Sequence, residues 1–138
     1  MDKKKLARLH RVRTLQLNLA HAEESTARAQ VASEAALAQR IASLAAAVAP
    51  SPAQGTAVSF AAQAHYREKL HRTAQAADNR VRTAEAAAAR AAEVTQSAKR
   101  DQTAVEKLIA RADLELALRE LRALQEAPPL RKVRHDPC

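Results

Sequence analysis

The chain has almost none of the residues that usually fill a compact globular core. Its 138 residues include no tryptophan, one phenylalanine, one tyrosine and one glycine. Large apolar side chains supply most of the buried area of such a core, so an ordinary globular fold is excluded. Roughly a quarter of the residues are alanine, the residue that loses least conformational freedom in a helix. The composition is typical of long helices and coiled coils.

Cysteine and long apolar runs are equally scarce. Cys138 is the single cysteine, so no disulfide can form within the chain. No apolar run approaches the roughly 20 residues that a membrane span needs. The lysines near the N-terminus are not followed by the apolar stretch of a signal peptide. We therefore expect a cytoplasmic protein.

Motifs for catalysis and metal binding are missing from the sequence. There is no glycine-rich phosphate loop, no serine nucleophile elbow and no cysteine or histidine pair at metal-ligand spacing. His65 and His71 lie six residues apart, which does not place them on one helix face as metal ligands. We predict a protein that is not an enzyme, with no cofactor, no catalytic residue and no metal site.

Proline and glycine mark a single interruption near one third of the chain. The stretch VAPSPAQGTAV, residues 48–58, holds two of the five prolines and the only glycine. A proline pushes the residue before it out of the helical region, and glycine supplies freedom for a reversal. The sequence therefore predicts one domain: helix 1 at about 3–48, a turn at 49–57, helix 2 at about 58–126 and a disordered basic tail at 127–138.

Each predicted helix carries a stripe of apolar or small residues at steps of three or four. In helix 1 the average step is close to 3.6 residues, with a run of four-residue steps between Ala29 and Ile41 that predicts a local relaxation of the supercoil. The stripe of helix 1 is Val12, Leu15, Leu19, Ala22, Thr26, Ala29, Ser33, Leu37, Ile41, Leu44 and Val48. The stripe of helix 2 is Tyr66, Leu70, Thr73, Ala77, Val81, Ala84, Ala88, Ala91, Val94, Ala98, Gln102, Val105, Leu108 and Ala112.

These features predict an all-α fold, a two-helix antiparallel coiled-coil hairpin with a longer second helix. A reversal near residue 53 sets four pairs: Leu44 with Ala62, Leu37 with Leu70, Ala22 with Ala84, and Val12 with Val94. Helix 1 then ends opposite residue 103 or so, and the leucine-rich remainder overhangs by about 20 residues. Three uses of the overhang stay open: docking to another protein, self-association, or pairing with Leu6 and Leu9.

The charge of the chain favours acidic partners. The net charge is +8, and six basic residues fall within residues 1–13. Such a balance suits nucleic acid, anionic lipid or an acidic protein surface. Single-strand binding proteins stack bases on aromatic side chains, which are nearly absent here, so we expect no nucleic acid.

Two segments resemble the FliJ/YscO family, the central stalk proteins of the flagellar and type III export ATPase. The opening KLARLHRVRTLQLNLAHAEES is similar to the family's basic, leucine-containing start. The segment AKRDQTAVEKLIARADLELALRELRALQEA is similar to its C-terminal stretch, except that an acidic residue is replaced in Leu124-Gln125-Glu126. The resemblance implies a coiled-coil stalk that inserts in the hexameric export ATPase ring and couples it to the export gate. The resemblance does not distinguish a flagellar from a virulence-type export system.

The resemblance also implies two contact surfaces and a set of partners. The partners are the ATPase, the membrane protein of the export gate and export chaperones, and the location is the cytoplasmic face of the inner membrane. Tyr66, Leu70 and Thr73 match the family's gate-facing stripe, although they also suit the hairpin seam. The residues expected to dock in the ring are Lys5, Leu6, Leu9, Arg13, Leu108, Leu114, Leu118, Leu121 and Arg122.

Two alternatives rest on the residues alone. Basic amphipathic helices coat lipid surfaces and storage granules, as phasins do, although alanine dominates the stripes between Ala22 and Ala98. The basic ends also suit a nucleoid protein or another nucleic-acid-binding coiled coil.

Overall fold

The computed structural model describes residues 2–48 and 57–130, and within these ranges the protein consists of two helices and no strand. Helix α1 spans Lys3–Ala47 and helix α2 spans Ala57–Glu126. The helices pack antiparallel along each other, so the predicted hairpin with a longer second helix is confirmed. The predicted turn, apart from Ala57, and residues 131–138 of the predicted tail lie outside the described residues.

The helix ends follow from local sequence. The carboxylate of Asp2 accepts a hydrogen bond from the backbone N–H of Lys4 at 3.3 Å, which caps the start of α1. Neither helix contains proline or glycine. Helix α2 ends at Glu126, and Ala127 is followed by Pro128, which disfavours a helical conformation for the residue before it. At about 1.5 Å per residue, α2 is a rod of roughly 105 Å.

The two helices meet along a strict heptad seam. In each helix the residues shielded by the partner recur at alternating steps of four and three. This period of 3.5 residues produces a left-handed coiled coil. The α1 seam is Leu6, His10, Arg13, Leu17, Ala20, Glu24, Ala27, Val31, Glu34, Ala38, Ile41, Ala45 and Val48. The α2 seam is Leu70, Ala74, Ala77, Val81, Ala84, Ala88, Ala91, Thr95, Ala98, Gln102, Val105, Ile109 and Ala112.

The predicted contact face of α1 is wrong over most of its length. Only Ile41 and Val48 of the predicted stripe belong to the seam, and the residues from Val12 to Ser33 face solvent. Leu15 and Leu19 are 68% and 61% exposed, whereas Leu17 between them is 6% exposed. The buried face also contains no stutter, because its four-and-three steps continue unbroken through residues 29–41. Helix α1 is apolar on two opposite faces, and the face with more polar residues is the one that α2 covers.

The predicted face of α2 is mostly correct. Ten of its fourteen positions lie in the seam. The exceptions are Tyr66, Thr73, Val94 and Leu108, which are exposed. For three of these the seam residue is the next one along the chain, Ala74, Thr95 or Ile109.

Polar contacts between the helices set the register. The Thr95 hydroxyl donates to the backbone carbonyl of Ala20 at 3.2 Å, and the Gln102 amide donates to the Thr14 hydroxyl at 3.1 Å. Arg80 pairs with the buried carboxylate of Glu34 at 3.0 Å. The contacts of Gln102 and Arg80 join particular side chains, so a one-heptad slip would remove the partners of Gln102 and Glu34 in the seam. The Thr95 hydroxyl also lies 3.1 Å from the carbonyl of Ala91 in its own helix, and a slip would bring another backbone carbonyl of α1 near it.

The observed register differs from the predicted one. Ala20 meets Thr95, roughly nine residues further along α2 than a reversal near residue 53 would place it. A symmetric turn is therefore the wrong basis for the register. As a result α2 begins beyond the end of α1 at the turn end of the rod. At the opposite end Lys3 pairs with Asp113 at 2.9 Å, so the overhang begins after Asp113 and not near residue 103.

Candidate docking surfaces

The overhang is the part of α2 that follows Asp113 and has no α1 residue beside it, residues 114–126. It exposes a dense set of large apolar side chains, because α1 begins only at Lys3. The exposed leucines are Leu114 at 61%, Leu116 at 42%, Leu118 at 44%, Leu121 at 54% and Leu124 at 73%. Contiguous apolar surface of this kind marks an interaction site.

Three of these leucines share one face of the overhang. Leu114, Leu118 and Leu121 are spaced by four and three residues, which aligns them on a helix. The same face carries Arg111 one turn before them and Gln125 one turn after them. Leu116 instead continues the line of the seam, two steps past Ile109. The overhang therefore presents apolar contacts on two sides, and a partner that covers both must surround the helix.

Positive charge concentrates next to the overhang. Residues 3–13 and the facing residues 99–113 together hold ten Lys and Arg against three Asp and Glu, a net +7 with His10 neutral. The whole chain carries +8. Two of these cations make ion pairs, Lys3 with Asp113 and Arg13 with Asp101 at 3.1 Å. The ring of His10 lies within hydrogen-bond distance of the Glu106 carboxylate, at 3.3 Å.

Lys99 donates to the side-chain oxygen of Gln102 at 2.9 Å. The other cations of this end are exposed and have no carboxylate partner among the described residues. They are Lys4, Lys5, Arg8, Arg11, Arg100, Lys107 and Arg111. We refer to these seven residues as the basic collar. Because they surround both helices just before the overhang, they create a positive field at its base.

The ion pair between Lys3 and Asp113 lies at the junction between the basic collar and the overhang. The hydrogen bond from the ammonium to the Asp113 carboxylate, together with the negative charge of that carboxylate, raises the pKa of Lys3 above its ordinary value of 10.5. Lys3 is therefore charged at neutral pH. Both side chains are largely solvated, so the pair marks the end of the paired region more than it stabilises it.

The structure brings most of the predicted ring-docking residues to one end of the rod. Lys5 and Leu108 are exposed near the base of the overhang, Leu9 is half-buried there, and Arg122 is exposed on the overhang itself. Leu6 is only 2% exposed and lies in the seam. It packs between the two helices at this end of the rod, and its side chain is not available to a partner.

Arg13 is also less available than the sequence suggests. It donates to Asp101 at 3.1 Å and to Gln16 at 3.0 Å, and it is half-buried at a seam position. Leu116 and Leu124 were absent from the predicted docking residues, although both are exposed on the overhang. Leu116 lies one heptad after Ile109, so continuing the seam spacing past Ile109 would have identified it.

Of the three predicted gate-facing residues, two are exposed and one lies in the seam. Tyr66 is 52% exposed and Thr73 is exposed, and their spacing of seven residues puts them on the same edge of α2. The Thr73 hydroxyl donates to the backbone carbonyl of Lys69 at 2.9 Å. Leu70 is half-buried in the seam. Tyr66 lies where α1 ends, close to the turn end of the rod.

The described residues form neither a metal site nor a membrane-spanning helix. No group of three or more His, Cys, Asp or Glu side chains in residues 2–48 and 57–130 is placed to bind a metal ion. Neither helix has a stretch within these ranges that is long and apolar enough to cross a membrane.

Comparisons with known proteins add no relative. The chain matches no protein-family model, no curated protein and no solved structure.

Proposed function

We propose that this chain is a non-enzymatic central stalk of the flagellar type III protein export apparatus. In this proposal the end that carries the basic collar and the overhang inserts in the hexameric export ATPase ring. The opposite end contacts the export gate at the cytoplasmic face of the inner membrane. Export chaperones are further proposed partners. The observation that carries the proposal is the unpaired, leucine-lined overhang at one end of a rigid two-helix rod.

The physical reason concerns what surrounds the overhang. Exposed leucines on two sides of a single helix are best buried by a partner that encloses the helix, and the pore of a ring does so. The basic collar at the base of the overhang would guide it toward an acidic pore entrance. Since a hairpin has no six-fold symmetry, it contacts the six subunits unequally. It can therefore favour one conformation in some subunits over others without catalysing a reaction itself.

The gate contact is proposed for the exposed edge formed by Tyr66 and Thr73. This edge lies toward the turn end of α2, far from the overhang. The distance from Tyr66 to Leu118 is 52 residues along one helix, or roughly 78 Å. A rod of this length can hold two partners apart at fixed separation. Coupling through it then requires only that both partners bind the same rigid body.

The test is binding to the export ATPase encoded in the same genome. We expect the wild-type chain to co-purify with the ATPase at low salt and to stimulate ATP hydrolysis. Leu114→Glu should lose both properties, whereas Leu44→Glu should keep both. Leu114 and Leu44 are 61% and 60% exposed, so neither substitution should disturb folding, and only the first lies on the overhang. Absence of binding at low salt would contradict the proposal.

The gate contact is tested separately with the cytoplasmic part of the gate protein. Tyr66→Ala should weaken capture of that protein, and Phe60→Ala should not. Both aromatic side chains are about half exposed, at 52% and 44%, on the same region of α2. Equal loss in the two variants would show that a general apolar contact, and not the Tyr66 edge, is responsible.

The basic collar supports a second candidate, binding of duplex nucleic acid. The basic collar places seven exposed cations, with no carboxylate partner among the residues that the structure describes, around one end of a rod, which suits a polyanion. A gel-shift titration distinguishes the two functions, because phosphate binding weakens steeply as salt increases. For nucleic-acid binding we expect Arg8→Glu with Arg11→Glu to abolish the shift and Leu114→Glu to leave it unchanged. No shift at low salt would exclude this candidate.

A further inference from the structure

The back of α1 carries a second heptad stripe that none of residues 2–48 and 57–130 covers. It consists of Val12, Leu15, Leu19, Ala22, Thr26, Ala29 and Ser33, spaced by alternating steps of three and four, and we call it the outer stripe. All seven residues are exposed. The Thr26 hydroxyl donates to the Ala22 carbonyl at 3.0 Å, so the polar group of that residue is satisfied within the helix. A heptad stripe of this kind is a surface for another helix.

The outer stripe is graded in size along its length. Its N-terminal part holds Val12, Leu15 and Leu19, which are 48%, 68% and 61% exposed. From Ala22 onward every residue of the outer stripe is small. Two copies packed parallel would place leucine against leucine at one end and alanine against alanine at the other, which forces the helices apart unevenly. Two copies packed antiparallel place the leucines of each copy against small residues of the other.

The charge around the outer stripe favours the same arrangement. Residues 12–36 carry two Arg and three Glu, a net −1 in a chain of net +8. The residues that flank the stripe are mostly uncharged, among them Gln16, Asn18, Ser25 and Gln30. Two copies can therefore approach here without strong repulsion. An antiparallel arrangement also separates the two basic collars, which a parallel arrangement would set side by side.

We propose that the outer stripe binds the outer stripe of a second copy of this chain, antiparallel, to form a reversible homodimer. The outer stripe alternates between two sets of positions, one with Val12, Leu19, Thr26 and Ser33 and the other with Leu15, Ala22 and Ala29. In the dimer a position of one set lies level with a position of the other set in the second copy, so Leu15 is level with Ser33 of the second copy. Leu19 is then level with Ala29 of the second copy, and Ala22 with its Thr26. The two overhangs lie at opposite ends of the resulting assembly. This inference does not depend on the proposed function.

The size of the contact predicts a weak dimer. The outer stripe extends over about 32 Å at a rise of 1.5 Å per residue and is about 10 Å wide. Its footprint of roughly 300 Å² per copy is well below the roughly 800 Å² per partner of a stable protein interface. Association should therefore be visible only in the micromolar range or above, and it should leave free monomer at lower concentration.

Sedimentation equilibrium of the full chain over a wide range of concentrations tests the dimer. We expect the mass to rise toward twice the monomer mass, and Leu19→Glu to weaken association by tenfold or more, since each dimer contains the substitution twice (about 1.4 kcal/mol per factor of ten). Leu44→Glu and Leu121→Glu should dimerise as the wild type does. Leu44 matches Leu19 in exposure, and Leu121 reports on the overhang. Far-UV circular dichroism verifies that every variant is folded.

Three outcomes would overturn the inference. One is a wild-type chain that stays monomeric at the highest concentration reached. Another is a dimer that survives Leu19→Glu but is lost in Leu121→Glu, which would assign self-association to the overhang. The last is equal weakening by Leu19→Glu and Leu44→Glu, which would indicate unspecific hydrophobic association.

Spin-label distances test the antiparallel arrangement. With Cys138 replaced by Ser, single cysteines are introduced at Ser25 and at Gln39, which are both exposed. In the antiparallel dimer the two labels at residue 25 are near each other, whereas those at residue 39 are separated by about 45 Å along the axis. A parallel dimer gives short distances at both positions and would contradict the arrangement.

Discussion

Three leucines within five residues of α1 distinguish its two apolar faces. Leu17 lies in the seam and is 6% exposed, while Leu15 and Leu19 on the outer stripe are 68% and 61% exposed. Each Leu→Ala substitution changes helix propensity equally, so differences in unfolding free energy report burial alone. We expect Leu17→Ala to lower the free energy of unfolding by about 2 kcal/mol. This is the lower end of the usual range, because a two-helix seam is open on both sides and can partly close over a cavity.

The outer leucines should behave differently. Leu15→Ala and Leu19→Ala remove side chains that already contact water, so each should change the unfolding free energy by no more than about 0.5 kcal/mol. The assay is urea unfolding followed by circular dichroism at about 0.1 µM chain, below the micromolar range in which the proposed dimer forms. If Leu15→Ala or Leu19→Ala costs as much as Leu17→Ala, the assignment of the buried face is wrong.

Three further predictions concern single contacts, and a fourth concerns the overhang. Arg80→Ala should cost about 1–3 kcal/mol in urea unfolding, because it leaves the Glu34 carboxylate, which is 10% exposed, with Gln30 as its remaining partner. Glu34→Ala should cost less, because the Arg80 side chain then turns to solvent. A larger loss for Glu34→Ala than for Arg80→Ala would contradict the pairing. Thr95→Val keeps the shape of the side chain but removes a hydroxyl that lies 3.2 Å from the Ala20 carbonyl on α1 and 3.1 Å from the Ala91 carbonyl on its own helix. We expect a loss of about 1 kcal/mol in the same assay, and no loss would mean that the contact with Ala20 does not stabilise the pairing of the helices. Pairing with Asp113 raises the pKa of Lys3 above 10.5, so this pair stabilises the fold below pH 10.5 and ceases to do so as the pH rises through the raised value. The difference in melting temperature between the wild type and Asp113→Asn should therefore be constant at neutral pH and vanish in strong alkali. A difference that changes near neutral pH would contradict the assignment. Leu114→Glu should leave the melting temperature within a few degrees of the wild type, as expected for a side chain 61% exposed, and a large decrease would show that the overhang packs on something in the monomer.

The helices could be predicted because strong local signals define them. Alanine-rich sequence without proline or glycine can hardly avoid a helix, and the cluster around Pro50, Pro52 and Gly55 interrupts it only once. The difference in length between the helices follows from the position of that cluster. These signals act through the backbone of each residue, so no knowledge of the partner helix is needed to interpret them.

The buried face of α1 could not be predicted because the helix has two candidate faces. The outer stripe has three large apolar residues and no charge between Val12 and Ser33, whereas the seam contains Arg13, Glu24 and Glu34. Sequence patterns assign charged residues to solvent. The seam accepts them because each has a partner: Arg13 bonds Asp101, Glu24 pairs with Arg28, and Arg80 neutralises Glu34.

The register depends on the same pairings and was missed for the same reason. A turn determines where the helices end, but not how far one slides along the other. In an alanine-lined seam, apolar contacts change little when the helices shift by one heptad, so they discriminate poorly among registers. Gln102 and Arg80 discriminate well, because they contact the Thr14 and Glu34 side chains, which do not recur one heptad away. Among the predicted docking residues, the exposed leucines of the overhang followed from the helix assignment, whereas the burial of Leu6 required the correct contact face of α1.

Insertion of the overhang in the export ATPase ring is tested most directly by cryo-electron microscopy of the ATPase hexamer with this chain bound. The proposed function predicts density for a single helix deep in the pore, widening to two helices at the level of Lys3 and Asp113. An empty pore, or a hairpin bound to the outside of the ring or by its turn end, would contradict it.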